Sequence, residues 1–226
     1  MGAVSAVFYF LSQHSLLAIP LYPLAALAIG AVLARVTGRR WWLFLGVPGL
    51  AMAAVSPLFA SAVNALFLNA AGTTGSAVIV HAEETNSTLN DNPIWYYEAV
   101  VRTADGRDVE TSFDTMSASI YPWRNEILIP PEGERFVVTY IPGFPRNIAI
   151  MVDQSPYGRK RLIQRDREPV DTAGAKLAAA PGNADFREAY RKALTGFIAR
   201  HGVDADRALL ADYRAKLAGL ETQPSR

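Results

Sequence analysis

The sequence contains no cysteine, and its first 71 residues contain no lysine, aspartate or glutamate. Without cysteine the chain has no disulfide framework, no thiolate nucleophile and no thiolate metal ligand. The lysines that a Ser/Lys hydrolase would need all lie in the C-terminal third, at Lys160, Lys176, Lys192 and Lys216. No Gly-x-Ser-x-Gly, phosphate-binding loop or His-Glu-x-x-His motif occurs. The sequence therefore predicts no enzyme: no catalytic residue, no cofactor and no metal site.

Charge is distributed unevenly, although the whole chain has a net charge of only +1. Residues 1–71 carry three arginines and no acid. Residues 72–158 carry five arginines against twelve acids, a net charge of −7, and residues 159–226 carry fourteen basic residues against nine acids, a net charge of +5. Such asymmetry separates segments with different surroundings. We expect an apolar N-terminal segment, an acidic middle domain and a basic tail with these bounds.

Two long apolar runs, residues 16–36 and 43–71, dominate the first segment. The first run has 21 residues, which as a helix is about 31 Å long and matches a hydrocarbon core of about 30 Å. We therefore predict a transmembrane two-helix hairpin. Its connection carries Arg35, Arg39 and Arg40, which the positive-inside rule places in the cytoplasm. Residues 72–226 are then extracytoplasmic, at a bacterial cytoplasmic (inner) membrane crossed more than once.

Small residues recur at four-residue spacing along both predicted helices, which allows two backbones to approach closely. The predicted packing stripe consists of Ala26, Gly30, Ala34, Gly49 and Ala53. It either packs the two helices of the hairpin together or packs against another subunit or membrane protein. Asn64 is strongly polar within the second run, and we expect it to form a hydrogen bond across the hairpin.

The middle domain changes to short β-rich runs separated by turn residues. Five strands are predicted, at residues 77–81, 95–103, 107–113, 135–140 and 147–152. Asp105-Gly106 predicts a tight hairpin turn between the second and third strands, because glycine tolerates a positive φ. Five short strands in one small domain indicate a β-barrel of the oligonucleotide-binding type or a similar one.

The last strands carry the pattern Val-x-Tyr-x-Pro-x-x-Pro, at Val138, Tyr140, Pro142 and Pro145. Together with the Asp-Gly hairpin and the preceding membrane segment, this pattern resembles the bacterial family called domain of unknown function 3592, over roughly residues 20–152. The resemblance implies a membrane-bound β module without an established activity.

The link between the third and fourth predicted strands contains Tyr121, Trp123 and Arg124. Aromatic side chains next to arginine are typical anchors of protein interfaces. These three residues are the candidate partner contact. Alternatively, the two aromatic side chains cap the open end of the barrel or lie on the bilayer surface.

The basic tail begins with a predicted hydrophilic linker that ends at Pro169 and continues as two predicted helices. The first begins after the N-cap residue Asn183, and the second runs from residue 204 or 206 to Leu217. Each helix has one apolar face, which packs on the other helix, on the barrel or on a partner.

These features predict an α+β membrane protein with a transmembrane two-helix hairpin, a small five-stranded β-barrel-like domain and a helical tail. The predicted function is binding or scaffolding, as an accessory part of a bacterial inner-membrane complex. Predicted partners are membrane lipid and either another protein or a second copy of the chain, bound through the hairpin or the tail, but no nucleic acid. A periplasmic membrane-bound hydrolase and an oligomeric transport component stay open as alternatives.

Overall fold

The computed structural model describes residues 1–124 and 126–222 and divides the chain into two units. The first unit, Met1–Tyr157, contains the apolar helices and a β-sheet. The second unit, Gly158–Arg226, contains the helical tail. The chain is therefore α+β.

Three helices form the apolar segment: α1 (Gly2–Gln13), α2 (Ser15–Thr37) and α3 (Gly46–Ala71). A short 3₁₀ helix, Arg40–Leu45, connects α2 to α3. Helix α2 ends at Gly38, where the φ of +71° favours glycine. Within α2, the stretch Ile19–Thr37 is long and apolar enough to cross a membrane.

The predicted transmembrane two-helix hairpin is wrong, because the second apolar run does not form one span. The chain bends by 87° between Arg40–Pro57 and Phe59–Ala71, next to a proline that lacks the backbone donor of a regular helix. After the bend, α3 lies on the sheet and buries Ala65 and Leu68 there. An apolar run has the same composition whether it faces lipid or the core of a protein.

The sheet has six strands: β1 (Thr73–Leu89), β2 (Asn92–Arg102), β3 (Asp108–Asp114), β4 (Ile120–Tyr121), β5 (Arg135–Ile141) and β6 (Phe144–Met151). Their order is β3-β2-β1-β5-β6-β4. Neighbouring strands are antiparallel except β4 and β6, which are parallel. The five predicted strands coincide with parts of β1, β2, β3, β5 and β6, whereas β4 was not predicted.

The predicted five-stranded barrel is also wrong, because the sheet is open. Strand β4 pairs with Ile150 and Met151 and so occupies part of the free edge of β6. Strands β3 and β6 contact each other without strand pairing, and in one of these contacts the Thr111 hydroxyl donates to the Arg146 carbonyl oxygen at 2.6 Å. The alternation of side chains along a strand shows which residues face the core. It does not show whether the first and last strands of the sheet pair and close a barrel.

Two tight turns connect the first three strands. The β1–β2 hairpin closes at Asn90 and Asp91, whose φ angles of 49° and 62° are typical of a two-residue hairpin loop. This hairpin extends well beyond the first strand that the sequence predicted. The predicted Asp105-Gly106 turn between β2 and β3 is confirmed, with φ of +85° at Gly106.

The sheet buries apolar side chains on both faces. One face carries the larger core, which includes Ile79, Val101, Phe136, Val138 and Ile150. On the opposite face, Ala149 and Ile141 pack against Ala65 and Leu68 of α3. Strand β6 is thus covered on both sides, which explains why residues 148–152 are apolar without alternation.

The tail consists of α4 (Pro156–Ala179), α5 (Ala184–His201) and α6 (Arg207–Thr222). The predicted linker is wrong, since α4 continues through Pro169 and buries Val170. Val170 packs in one core with residues of the two predicted helices, including Leu194, Phe197, Leu210 and Tyr213. Asn183 is confirmed as N-cap, because its side chain accepts hydrogen bonds from the Asp185 and Phe186 amides.

A largely buried aspartate, Asp166, connects α4 to α5. Asp166 Oδ2 lies 2.9 Å from His201 Nε2 and 2.9 Å from Arg200 Nη1, and the Asp166 side chain is only 11% exposed. Burial alone would raise the pKa of this carboxyl, but the hydrogen bond to His201 and the charge of Arg200 outweigh burial and hold the pKa of Asp166 below its ordinary value.

We expect Asp166→Asn to destabilise the tail helices at neutral pH by about 1.5 to 3 kcal/mol, since it removes hydrogen bonds to a charged group. A carboxyl whose pKa is lowered by folding stabilises the fold above its unfolded pKa of about 3.9, and this contribution disappears as the pH falls through the folded pKa. Hydrogen exchange of α4, α5 and α6, corrected for intrinsic rates, should therefore differ more between variant and wild type at pH 7 than at pH 3.

The control for this prediction is Glu188→Gln, which removes an exposed ion pair with Arg191 within α5. Exposed pairs contribute little, so exchange should hardly change. A difference between Asp166→Asn and wild type that is the same at both pH values would contradict the ionic role of Asp166.

Candidate functional site

Two buried asparagines connect the apolar helices to the sheet. Asn64 of α3 donates from Nδ2 to Asn147 Oδ1 of β6 at 2.7 Å, and Asn147 Nδ2 lies 2.9 Å from Asn64 Oδ1. Both side chains are 1% exposed. Buried amides require hydrogen-bond partners, and this reciprocal pair satisfies polar groups of both residues at once.

Two serines complete this cluster. Asn147 Nδ2 donates to the carbonyl oxygen of Ser5 at 3.0 Å, and Asn64 Nδ2 donates to Ser119 Oγ at 2.8 Å. We call Ser5, Asn64, Ser119 and Asn147 the polar joint, because they connect α1, α3, β6 and the segment before β4. The expectation that Asn64 bonds across the hairpin is wrong, since its partners belong to the sheet domain.

Next to the polar joint lies a groove of about 280 Å³. Glu98 of β2 and Glu110 of β3 line it, with Arg146 and Tyr9 also at its walls. The strand register makes Glu98 and Glu110 diagonal neighbours on one face of the sheet, because Val100 pairs with Glu110. A groove with two carboxylates and a guanidinium can bind both cationic and anionic groups.

The three residues of the candidate partner contact have different environments. Tyr121 is half-buried beside the part of α3 that covers the sheet. Trp123 is 66% exposed. Arg124 donates two hydrogen bonds of 2.7 Å to the Asp153 carboxylate, in the fork geometry that suits this pair. Ile127, which follows in the same link, is also exposed.

The small residues of the predicted packing stripe lie where α2 contacts the segment that follows it. A Cβ atom on Gly30 would lie 2.4 Å from the Trp42 carbonyl oxygen, and one on Gly49 would lie 2.6 Å from Ala26 Cβ. Ala53 is buried, whereas Ala34 is half-buried. Close backbone approach at Gly30 and Gly49 therefore leaves no room for a side chain.

The three arginines that predict the topology lie together where α2 ends and the 3₁₀ helix begins. Arg35 belongs to the last turn of α2, and Arg39 and Arg40 follow Gly38. All three are exposed. They therefore mark the C-terminal end of α2.

No protein-family model, curated protein or solved structure matches this chain. In the motif that carries the family resemblance, Val138 and Tyr140 belong to the core of the sheet. The Tyr140 hydroxyl accepts a hydrogen bond of 2.7 Å from the Ala104 amide and so fastens the β2–β3 turn. The motif has a structural role in this chain, and the family assignment stays a prediction.

Sequence reasoning missed Ser5, Ser119, Asn147 and the groove. A signal was present at Asn147, because the other residues on its face of β6, Pro145, Ala149 and Met151, are apolar. A polar side chain on an apolar strand face and another inside an apolar helix, Asn64, form a natural pair. Nothing in the sequence indicated that Ser5 would join them.

Proposed function

We propose that this chain is a membrane-anchored extracytoplasmic binding or scaffolding protein, an accessory part of a bacterial inner-membrane complex. The observation that carries the proposal is the exposure of α2. Only 6% of its most apolar window is buried inside the structure, and side chains such as Leu24, Val32 and Val36 are more than 60% exposed. Apolar surface of this extent needs an apolar environment, which the bilayer supplies.

The contacts of the neighbouring helices support one orientation. Ser5 of α1, before α2, and Asn64, after the bend in α3, both bind Asn147 of the sheet. The chain therefore enters and leaves its exposed apolar segment on the side where the sheet lies. The arginines at the far end of α2 belong in the cytoplasm by the positive-inside rule, so residues 72–226 are extracytoplasmic.

The partner in this proposal is a protein that covers Trp123 and Ile127. Both are large apolar side chains, 66% and 56% exposed, on a segment that follows β4. The Arg124–Asp153 pair fastens this segment next to the end of β6. An exposed tryptophan on a fastened segment is the kind of residue that contributes most to protein interfaces.

A photo-crosslinking amino acid at position 127 is expected to trap a protein partner in intact cells. The same probe at Leu89, on the tip of the β1–β2 hairpin and 44% exposed, is the control and should not give that adduct. Because Trp123 is the anchor, Trp123→Ala should reduce the yield of the adduct at position 127 at least about tenfold, the effect of losing a contact of about 1.4 kcal/mol. An adduct that is unchanged by Trp123→Ala, or equally strong at position 89, would contradict the proposed surface.

A further inference from the structure

Helix α1 turns both of its serines toward the protein. Ser5 is fully buried and Ser12 is 6% exposed. The Ser5 carbonyl and hydroxyl oxygens lie 3.0 Å and 3.1 Å from Asn147 Nδ2, within hydrogen-bond distance of its two hydrogens, and the Ser12 hydroxyl donates to the Tyr9 carbonyl oxygen. A helix on the surface of a water-soluble domain has the opposite arrangement, with polar side chains outward.

The outward side of α1 is apolar. Val4, Val7 and Phe10 are 46%, 57% and 40% exposed, and α1 contains no charged side chain. Three exposed apolar residues on one short helix, with its serines buried, indicate that this side of α1 faces an apolar environment.

An apolar crevice of about 460 Å³ separates α1 from α2. Its walls include Ala6, Phe10 and Leu11 of α1 and Leu21, Tyr22 and Ala25 of α2. The volume is typical of sites that hold a small molecule, about 300 to 1,000 Å³. Leu21 lines the crevice and is itself 45% exposed on α2, so whatever surrounds this part of α2 also has access to the crevice.

We infer that α1 lies in the bilayer surface and that the crevice between α1 and α2 holds an acyl chain of a phospholipid from the surrounding membrane. This inference rests on the proposed anchoring of the chain by α2. Apolar side chains on one side of a helix are the feature by which interfacial helices bind membranes. Because Ser5 of α1 is hydrogen-bonded to Asn147 of the sheet, holding α1 at the bilayer surface also fixes the sheet relative to the membrane.

Spin labels measure this placement directly, since the chain has no cysteine of its own. Single labels at Val7→Cys and Phe10→Cys in phosphatidylethanolamine and phosphatidylglycerol liposomes should be accessible to oxygen and protected from a water-soluble nickel chelate. Val32→Cys on α2 is the lipid control. Val203→Cys, at a position 96% exposed in the tail, is the water control and should show the opposite accessibilities.

The outcomes separate the inference from the proposed anchor. If Val32→Cys reports lipid but Val7→Cys and Phe10→Cys report water, α1 does not bind the membrane and the anchor stands. If Val32→Cys reports water, the anchor itself is wrong. Spin–spin broadening at Val7→Cys, with protection from both reagents, would show that a second copy of the chain covers α1 and would overturn the inference.

The occupant of the crevice is tested by filling it. In mild detergent, the wild-type protein should retain one tightly bound phospholipid in native mass spectrometry. The double variant Ala6→Phe/Ala25→Phe fills the crevice and should lose that lipid, whereas Ala31→Phe, on the exposed surface of α2, should retain it. Equal lipid retention by the two variants would overturn the acyl-chain assignment, and the spin labels test α1 even if the double variant does not fold.

Discussion

Asn147→Leu is expected to lower the free energy of unfolding by about 3 kcal/mol, because it leaves polar groups of Asn64 and Ser5 buried without their partner. An unsatisfied buried group costs about 1 to 3 kcal/mol, so losing the centre of the polar joint affects several such groups at once. The measurement is thermal or denaturant unfolding of the full chain in lipid nanodiscs. Asn86→Leu, at an exposed position on the β1–β2 hairpin, is the control and should change little.

A double-mutant cycle shows whether the two asparagines act together. Asn64→Leu alone should cost a similar amount, but Asn64→Leu/Asn147→Leu should cost clearly less than the sum of the two single changes, because the amides that depend on each other are both removed. Strict additivity would contradict the polar joint as a coupled unit.

Gly30→Leu is expected to harm the apolar segment more than any single trimming of its surface. A Cβ atom at this position would lie 2.4 Å from the Trp42 carbonyl oxygen and 3.1 Å from the Trp42 carbonyl carbon, so the backbone must move before any larger side chain fits. Overpacking of this kind costs about 1 to 3 kcal/mol. Unfolding in nanodiscs measures the effect.

The matched controls for Gly30→Leu lie on the same helix. Ala31→Leu adds the same side chain at an exposed position, and Leu33→Ala trims a half-buried one. Both should have smaller effects than Gly30→Leu. If all three variants unfold alike, the small residues of α2 pack against nothing that matters for stability.

Local signals in the sequence predicted much of the β domain. Asp105-Gly106 specifies a hairpin turn by its own backbone preferences, and Asn183 specifies a helix start by its own hydrogen bonds, so both could be read without tertiary structure. Strand positions follow from residue type and period in the same way. The open edge of the sheet is instead occupied in part by β4, two residues with no pattern of their own.

In the apolar segment, composition does not distinguish a helix that faces lipid from one that packs on a sheet. Residues 43–71 are uncharged and mostly apolar. In our proposal lipid surrounds one part and the sheet covers another, and hydropathy alone does not distinguish these environments. The bend next to Pro57 separates the two parts, yet prolines also occur inside α2 at positions 20 and 23. The partners of Asn64 and the burial of Ala65 and Leu68 against the sheet show which part of α3 belongs to the sheet.

In the tail, composition likewise does not distinguish a hydrophilic linker from a hydrophilic helix. Residues 159–169 are strongly hydrophilic and end in proline, which predicts a linker. In the structure α4 continues because Ile163 and Val170 pack against α5 and α6, a stabilisation of about 1.5 to 3 kcal/mol for each fully buried side chain. Tertiary packing therefore outweighs the local preference of this segment.

We propose that α2 crosses the membrane with the sheet outside, and cysteine labelling of the two sides decides this. Single variants Thr37→Cys, at the C-terminal end of α2, which we propose to be cytoplasmic, and Ser87→Cys, on the exposed β1–β2 hairpin, are treated with an impermeant maleimide in intact spheroplasts. We expect Ser87→Cys to react and Thr37→Cys to be protected, with the reverse in inside-out vesicles. Reaction of both cysteines in intact spheroplasts, or of Thr37→Cys alone, would contradict the account.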